Sequence, residues 1–166
     1  MNKEQKRKVQ LQQRTLNESL TFQTMFGAKQ KFDSLTPEIE TRIKEELLVF
    51  ANLGIAKDLM TLRDVMDKVK EQLGYSAEPS KGILAGSYVA YCLGLEPSNP
   101  MVTGKEIEAK DFQVTLPLGL TICYDNEVRN EVVNWMKEHG CEFTTYMSQP
   151  MLKLENTRVI IRRVLK

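Results

Sequence analysis

The spacing of the hydrophobic residues changes after about residue 110, and that change constrains the fold most strongly. Up to about residue 95 the apolar residues recur every three or four positions, as they do on one face of an α-helix. From Phe112 to Ile122 they alternate with small or polar residues, which is the period of a β-strand. The sequence therefore predicts an α+β fold in which a helical N-terminal half precedes a small sheet.

Capping and breaking residues divide the helical half. A first helix should end at a break formed by Gly27 and the mixed stretch from Lys29 to Ser34. Thr36 is placed to cap a second helix that begins at Pro37, because proline suits the first helical position. Gly54 and Gly74 are typical of residues that end a second and a third helix.

The remaining segments mix short elements. Residues 83–95 carry many small side chains and predict a short, mostly buried helix, and residues 96–110 should form a loop. Asp125 is expected to cap a helix that stops at Gly140. Two strands should follow, and the second could fold into a hairpin at residues 155–157. The order after the loop is then strand, helix, strand, strand.

We expect residues 1–31 to form a basic amphipathic helical extension and residues 32–166 to form one α+β domain. The net charge is only +1, so any attraction for an anionic partner must come from a local patch. One such patch lies at the start of the chain. It could bind DNA phosphates or an acidic protein surface, or it could be a solvated helix end; its members are Lys3, Lys6, Arg7, Lys8 and Arg14.

Other features argue against a catalytic or metal site. Three widely spaced cysteines, no apolar leader and no membrane-length apolar run predict a reduced, cytoplasmic protein. The pairs Asp64 with Asp67 and Glu106 with Glu108 are more typical of solvated acids than of metal ligands. The one histidine, His139, suits the last turn of a helix. We expect no cofactor, no metal and no complete catalytic apparatus.

A lysine, glycines and serines near the start of the predicted short helix could bind the phosphates of a nucleotide through backbone N–H groups. The alternative is a packed helix start, since the spacing is not that of a Walker loop. The candidate residues are Ser80, Lys81, Gly82, Gly86 and Ser87.

The run Ser80-Lys81-Gly82-Ile83-Leu84-Ala85-Gly86-Ser87-Tyr88-Val89-Ala90-Tyr91-Cys92-Leu93-Gly94-Leu95, followed by Asn99-Pro100, resembles the palm region of bacterial C-family replicative polymerases, the alpha subunits of DNA polymerase III. The resemblance implies a palm-like fold and a loop that closes around nucleotide phosphates. Where the family has a Pro-Asp-x-Asp strand, this chain has Pro117-Leu118-Gly119-Leu120. Two-metal phosphoryl transfer needs clustered carboxylates, so the resemblance implies a palm that has lost polymerisation.

A second short segment is similar to the Gln-x-x-Leu-x-Leu peptides with which replication proteins bind a bacterial sliding clamp. The same alternation also suits an ordinary strand. Its candidate residues are Gln149, Met151, Leu152 and Leu154.

The leading hypothesis is a non-catalytic, replication-associated protein that binds DNA, the replicative polymerase or the sliding clamp. A phage-type inhibitor of bacterial DNA replication would be one such protein. One alternative is a minimal nucleotide-binding or nucleotidyl-transfer enzyme that uses Lys81. Another is a plain interaction module that forms homo-oligomers through its N-terminal helix.

Overall fold

The computed structural model describes residues 2–105 and 116–165 and confirms the predicted α+β class. Within these residues the helical half comes first and a sheet follows. The helices are α1 (Lys3–Lys31), α2 (Pro37–Leu53), α3 (Ala56–Leu73), α4 (Tyr88–Leu93), α5 (Pro100–Thr103) and α6 (Arg129–Glu138). The strands are β1 (Leu118–Asp125), β2 (Phe143–Tyr146), β3 (Gln149–Lys153) and β4 (Thr157–Val164).

The sheet is mixed, with the strand order β1-β4-β3-β2. β1 pairs parallel with β4, whereas β3 pairs antiparallel with both β4 and β2. The predicted hairpin at residues 155–157 is therefore confirmed as the turn between β3 and β4. Buried residues of β1, β3 and β4 enter one core with the helices, among them Leu120, Ile122, Leu152, Val159 and Ile161.

The β3–β4 turn is tied to the helical layer by one buried carboxylate. Asp58, in the first turn of α3, accepts a hydrogen bond of 2.7 Å from the backbone N–H of Asn156 and one of 3.1 Å from the hydroxyl of Thr157. Both contacts join residues almost a hundred positions apart. The turn is therefore held against α3 by polar bonds as well as by apolar packing.

α1 is half packed and half exposed. Every residue from Asn2 to Thr15 is exposed, whereas Leu20, Thr24 and Ala28 are buried. The second half of α1 thus belongs to the same core as the rest of the chain. The expected division after residue 31 does not follow this packing, because the change from exposed to packed side chains falls near residue 16.

The predicted break is confirmed within residues 29–34, where α1 ends at Lys31, but it is wrong at Gly27, which lies inside α1. A Cβ atom at Gly27 would lie 2.0 Å from the carbonyl oxygen of Cys92 in α4. Glycine is present because two helix backbones approach closely there, which is a tertiary requirement that the local sequence does not distinguish from a break.

The single helix predicted for residues 83–95 is also wrong. The segment forms a 3-10 turn, Ile83–Gly86, and then α4, and the extended residue Ser87 separates them. Ser87 ends the turn because its hydroxyl oxygen accepts the backbone N–H of Ala90 and so caps α4.

Asp125 does not cap α6 as predicted. Its carboxylate accepts the N–H of Glu127 in a local turn, and α6 begins only at Arg129 after Val128. The predicted strand start at Phe112 lies outside the described residues, and the described part of that strand begins at Leu118.

The close contact at Gly27 yields a stability prediction. Gly27→Ala should lower the free energy of unfolding by about 1–3 kcal/mol, because the added methyl group forces α1 away from α4. Urea denaturation followed by circular dichroism measures this change. Gly119→Ala is the matched control, since no atom lies within 4 Å of its added Cβ. Equal free energies of unfolding for the two variants would contradict the close approach of α1 to α4 at Gly27.

Candidate functional site

A cavity of about 370 Å³ lies where the loop 79–82 meets the parallel strands β1 and β4. We call it the basic cleft. Three of the described side chains that line it are cationic and none is acidic. The lining residues are Pro79, Lys81, Gly82, Thr121, Cys123, Arg162, Arg163 and Val164.

A buried carboxylate holds the loop of the basic cleft. Glu96, only 1% exposed, accepts a hydrogen bond of 2.9 Å from the hydroxyl of Ser80 and one of 3.2 Å from its backbone N–H. Ser80 itself is buried, so its side chain is not available to a ligand. Ser80 therefore positions Lys81 rather than contacting an anion.

Two backbone contacts fix the other side of the loop against β1. The N–H of Glu78 donates to the carbonyl oxygen of Cys123 over 2.8 Å. A Cβ atom at Gly82 would lie 3.2 Å from the Cβ of Thr121, so the backbone passes as close to the strand as glycine comfortably allows.

The chemistry of the basic cleft is electrostatic. Lys81 comes from the loop, while Arg162 and Arg163 come from the end of β4, where both are exposed. Burial and the charge of Glu96 raise the pKa of the Cys123 thiol, against a smaller opposing effect of Arg162. The thiol is therefore protonated at neutral pH and is not an activated nucleophile. The cleft is suited to holding an anion.

The strand that resembles the metal-binding strand of the polymerases presents apolar side chains to the core. Leu118, Leu120 and Ile122 are each at most 3% exposed. Thr121 and Cys123 point the other way, into the basic cleft, because successive strand residues face opposite sides. Neither face of β1 carries a carboxylate before its last residue, Asp125.

The second half of the predicted phosphate loop is occupied by the protein itself. The carboxylate of Glu46 in α2 accepts the hydroxyl of Ser87 at 2.6 Å, the N–H of Tyr88 at 2.9 Å and the N–H of Val89 at 3.0 Å. The free N–H groups that a phosphate would need at the start of α4 are thus already bonded. Gly86 and Ser87 are buried, which favours the alternative of a packed helix start.

Glu46 is not among the residues that the sequence pointed to, although its position in the hydrophobic pattern indicates a buried acid. It lies on the apolar stripe formed with Ile39, Ile43 and Phe50, and an acid at such a position indicates a buried, partnered carboxylate. Burial raises the pKa of Glu46, and its bonds to Ser87 and the α4 backbone oppose that rise.

The hydrogen bonds that Glu46 accepts at the start of α4 should stabilise the fold. Glu46→Gln should lower the free energy of unfolding by about 1–3 kcal/mol, because an amide has only one acceptor oxygen for three buried donors. Thermal or urea unfolding measures the effect. The control is Glu45→Gln, an exposed neighbour with only a 3.9 Å surface ion pair, which should change stability by less than about 0.5 kcal/mol. A loss no larger in Glu46→Gln than in the control would show that the cap is not important.

The basic residues of the N-terminal patch all lie on the exposed part of α1. The spacing of Lys3, Arg7 and Arg14 places these three cations near one another on one helical face. Arg14 also forms a 3.1 Å ion pair with Glu18. The structure does not bring this patch and the phosphate-loop residues into one described cavity.

The clamp-like segment forms β3, which is hydrogen-bonded to a neighbouring strand on each side. Leu152 is 1% exposed, while Met151 and Leu154 are half-buried. The amide oxygen of Gln149 accepts a hydrogen bond from Arg129. These placements favour the ordinary-strand interpretation, because a clamp ligand must present these side chains outward.

His139 ends α6 as expected, with its Nδ1 atom 2.8 Å from the carbonyl oxygen of Trp135. Asp67 pairs with Arg63 at 3.7 Å on α3. Glu106 and Glu108 lie outside the described residues. No described helix has the length and apolar character needed to cross a membrane.

Residues 16–153, well over half of the chain, match the family model of the bacterial DNA polymerase III alpha NTPase domain. The chain belongs to this family. Among curated proteins none matches it significantly. The match includes the loop of the basic cleft and β1, and it ends at Lys153, the last residue of β3. Arg162 and Arg163, which supply two of the three cations of the basic cleft, therefore lie beyond the matched residues.

Proposed function

We propose that this member of the DNA polymerase III alpha family is a non-catalytic replication protein that binds DNA through the basic cleft. The observation that carries the proposal is the convergence of Lys81, Arg162 and Arg163 on one cavity whose described lining contains no acidic residue. Cations grouped in this way attract a chain of phosphates and release its counterions.

The geometry favours phosphate over an acidic protein surface. The cleft is concave, and Gly82 lets the backbone approach β1 closely, so a small anionic group can be surrounded on several sides. The exposed cations of α1 offer additional phosphate contacts for a ligand that is long enough to reach them. A nucleic-acid strand supplies evenly spaced phosphates of this kind.

The non-catalytic part of the proposal is supported by β1. The positions that the polymerase resemblance assigns to metal-holding aspartates are filled by buried leucines, and the cleft-facing positions carry Thr121 and Cys123. Hydroxyl and protonated thiol groups do not hold two divalent ions close together as carboxylates do. We therefore expect binding without phosphoryl transfer.

A protein that binds DNA without synthesising it suggests a role beside the replication machinery in the cytoplasm. The replicative polymerase is then its protein partner. A phage-type inhibitor that occupies DNA and excludes the active polymerase would act in this way. The sliding clamp is the less favoured partner, because β3 holds the clamp-like side chains inside the sheet.

Fluorescence anisotropy with labelled single-stranded and duplex DNA over a series of salt concentrations tests the proposal. The double variant Lys81→Gln/Arg162→Gln should bind at least about tenfold more weakly, and the slope of log affinity against log salt should fall by about 2. The control Lys57→Gln/Lys70→Gln removes the same charge from α3, away from the cleft. Equal losses in the two variants, or no DNA binding by the wild type, would contradict the proposal.

A nucleotide-binding or nucleotidyl-transfer enzyme is the second candidate, and the size of the basic cleft favours it. A cavity of about 370 Å³ falls in the range of small-ligand sites. This reading predicts magnesium-dependent binding of a nucleoside triphosphate that Lys81→Ala abolishes, measured by calorimetry. Turnover of any nucleotide by the purified chain would replace the non-catalytic proposal with this one.

The homo-oligomer reading is supported by the outer face of α1, where Phe22 and Phe26 are 72% and 52% exposed and stack on each other. Deleting residues 1–31, the helical extension predicted from the sequence, would test self-association, but it would also remove the buried part of α1. The sharper test is Phe22→Gln/Phe26→Gln, with light scattering as the measurement. A fall in molar mass would support self-association, whereas an unchanged monomer would exclude this face as a dimer contact.

A further inference from the structure

A second cavity, of about 470 Å³, lies on the other side of Arg162 and Arg163. It is bounded by the end of β4, the turn between β2 and β3, and the first residue of α6. We call it the arginine pocket. Its described lining includes three arginines and no acid: Arg129, Tyr146, Met147, Ser148, Gln149, Ile160, Arg162 and Arg163.

Arg129 is a buried cation, 6% exposed, and its hydrogen bonds to described residues go to neutral acceptors. One Nη atom donates to the carbonyl oxygen of Ile161 at 2.7 Å and to the amide oxygen of Gln149 at 3.1 Å. Its Nε atom donates to the amide oxygen of Asn130 at 3.0 Å. Within the described residues, these contacts orient the guanidinium group without neutralising it.

Arg163 is held beside Arg129 through the same amide. Its Nη2 atom donates to the Oδ1 atom of Asn130 at 3.1 Å, so one neutral oxygen bridges two cations. Burial and the nearby charge of Arg163 lower the pKa of Arg129. A buried charge is costly unless an opposite charge compensates it, and here like charges are brought together instead.

The ligand that would relieve this repulsion is a compact dianion. Guanidinium groups bind phosphate oxygens in pairs, and a phosphate monoester carries nearly two negative charges at neutral pH. At the mouth of the pocket, Tyr146 is half exposed, and its ring offers a face on which a flat base can stack. The cavity volume suits a ligand of that size.

We propose that the arginine pocket binds the phosphate monoester of a nucleotide, with Arg129, Arg162 and Arg163 around the phosphate and Tyr146 beside the base. The monoester can belong to a free mononucleotide or to the phosphorylated end of a nucleic-acid strand. This site shares Arg162 and Arg163 with the basic cleft, but it goes beyond the proposed function because it needs neither Lys81 nor a long strand.

Isothermal titration calorimetry on the full chain tests the proposal with deoxyadenosine monophosphate and with deoxyadenosine. The monophosphate should bind and the nucleoside should not. Asn130→Asp places a carboxylate between the two guanidinium groups, so it should weaken the monophosphate at least about tenfold while the melting temperature is unchanged or higher. Arg163→Gln should weaken it to a similar degree, and Lys70→Gln, at an exposed position of α3, is the control that should bind as the wild type does.

Two short oligonucleotides, identical except for a 5′-phosphate, identify the source of the monoester. If the 5′-phosphate raises the affinity of the oligonucleotide, and Asn130→Asp removes that increase, the pocket binds strand ends. If only the free monophosphate binds, the pocket is a nucleotide site. Lys81→Gln should weaken both oligonucleotides equally through the basic cleft and so preserve the gain in affinity that the 5′-phosphate gives, which separates this site from the basic cleft. Equal binding of the monophosphate by the wild type and Asn130→Asp, or binding by neither, would overturn the proposal.

Discussion

The contact on which the rest of the helical half depends is the buried carboxylate of Glu46 at the start of α4. It accepts hydrogen bonds from the Ser87 hydroxyl and from two backbone N–H groups, and so joins α2 to a helix of only six residues. A helix this short has little stability of its own and needs such tertiary bonds. With α4 fixed, Gly27 can bring α1 against the carbonyl of Cys92, and Glu96, just beyond the C-terminus of α4, can hold the loop of the basic cleft.

The buried carboxylates of this structure hold other segments of the chain in place. Glu46 caps α4, Glu96 anchors Ser80, and Asp58 holds the β3–β4 turn, and each accepts donors from a distant part of the chain. The strand β1, by contrast, brings apolar side chains to the core and neutral polar ones to the cleft. The cations around the two cavities are thus left without acidic lining partners among the described residues, which is the electrostatic basis of both binding proposals.

Part of the candidate site was predictable from the sequence and part was not. Lys81 and Gly82, which the sequence suggests as phosphate-binding residues, line a cavity, and a lysine and a glycine before a helix start are local features. Ser80, Gly86 and Ser87 were grouped with them, yet they are buried, because two acids from elsewhere in the chain already bond to this segment. Arg129, Arg162 and Arg163 were not singled out at all, since nothing in their local sequence distinguishes them from surface arginines.

The amino-acid sequence by itself determined the α+β class, the limits of the second and third helices and the β3–β4 hairpin. Each of these depends on hydrophobic period, capping residues and turn residues that act within a few positions. Only the tertiary structure decided that Gly27 lies within a helix, that Glu46 occupies the start of α4, and that β4 carries its arginines to the loop of Lys81. These contacts join residues far apart in the chain, and the energy of a close approach or a buried charge depends on the partner that the fold supplies.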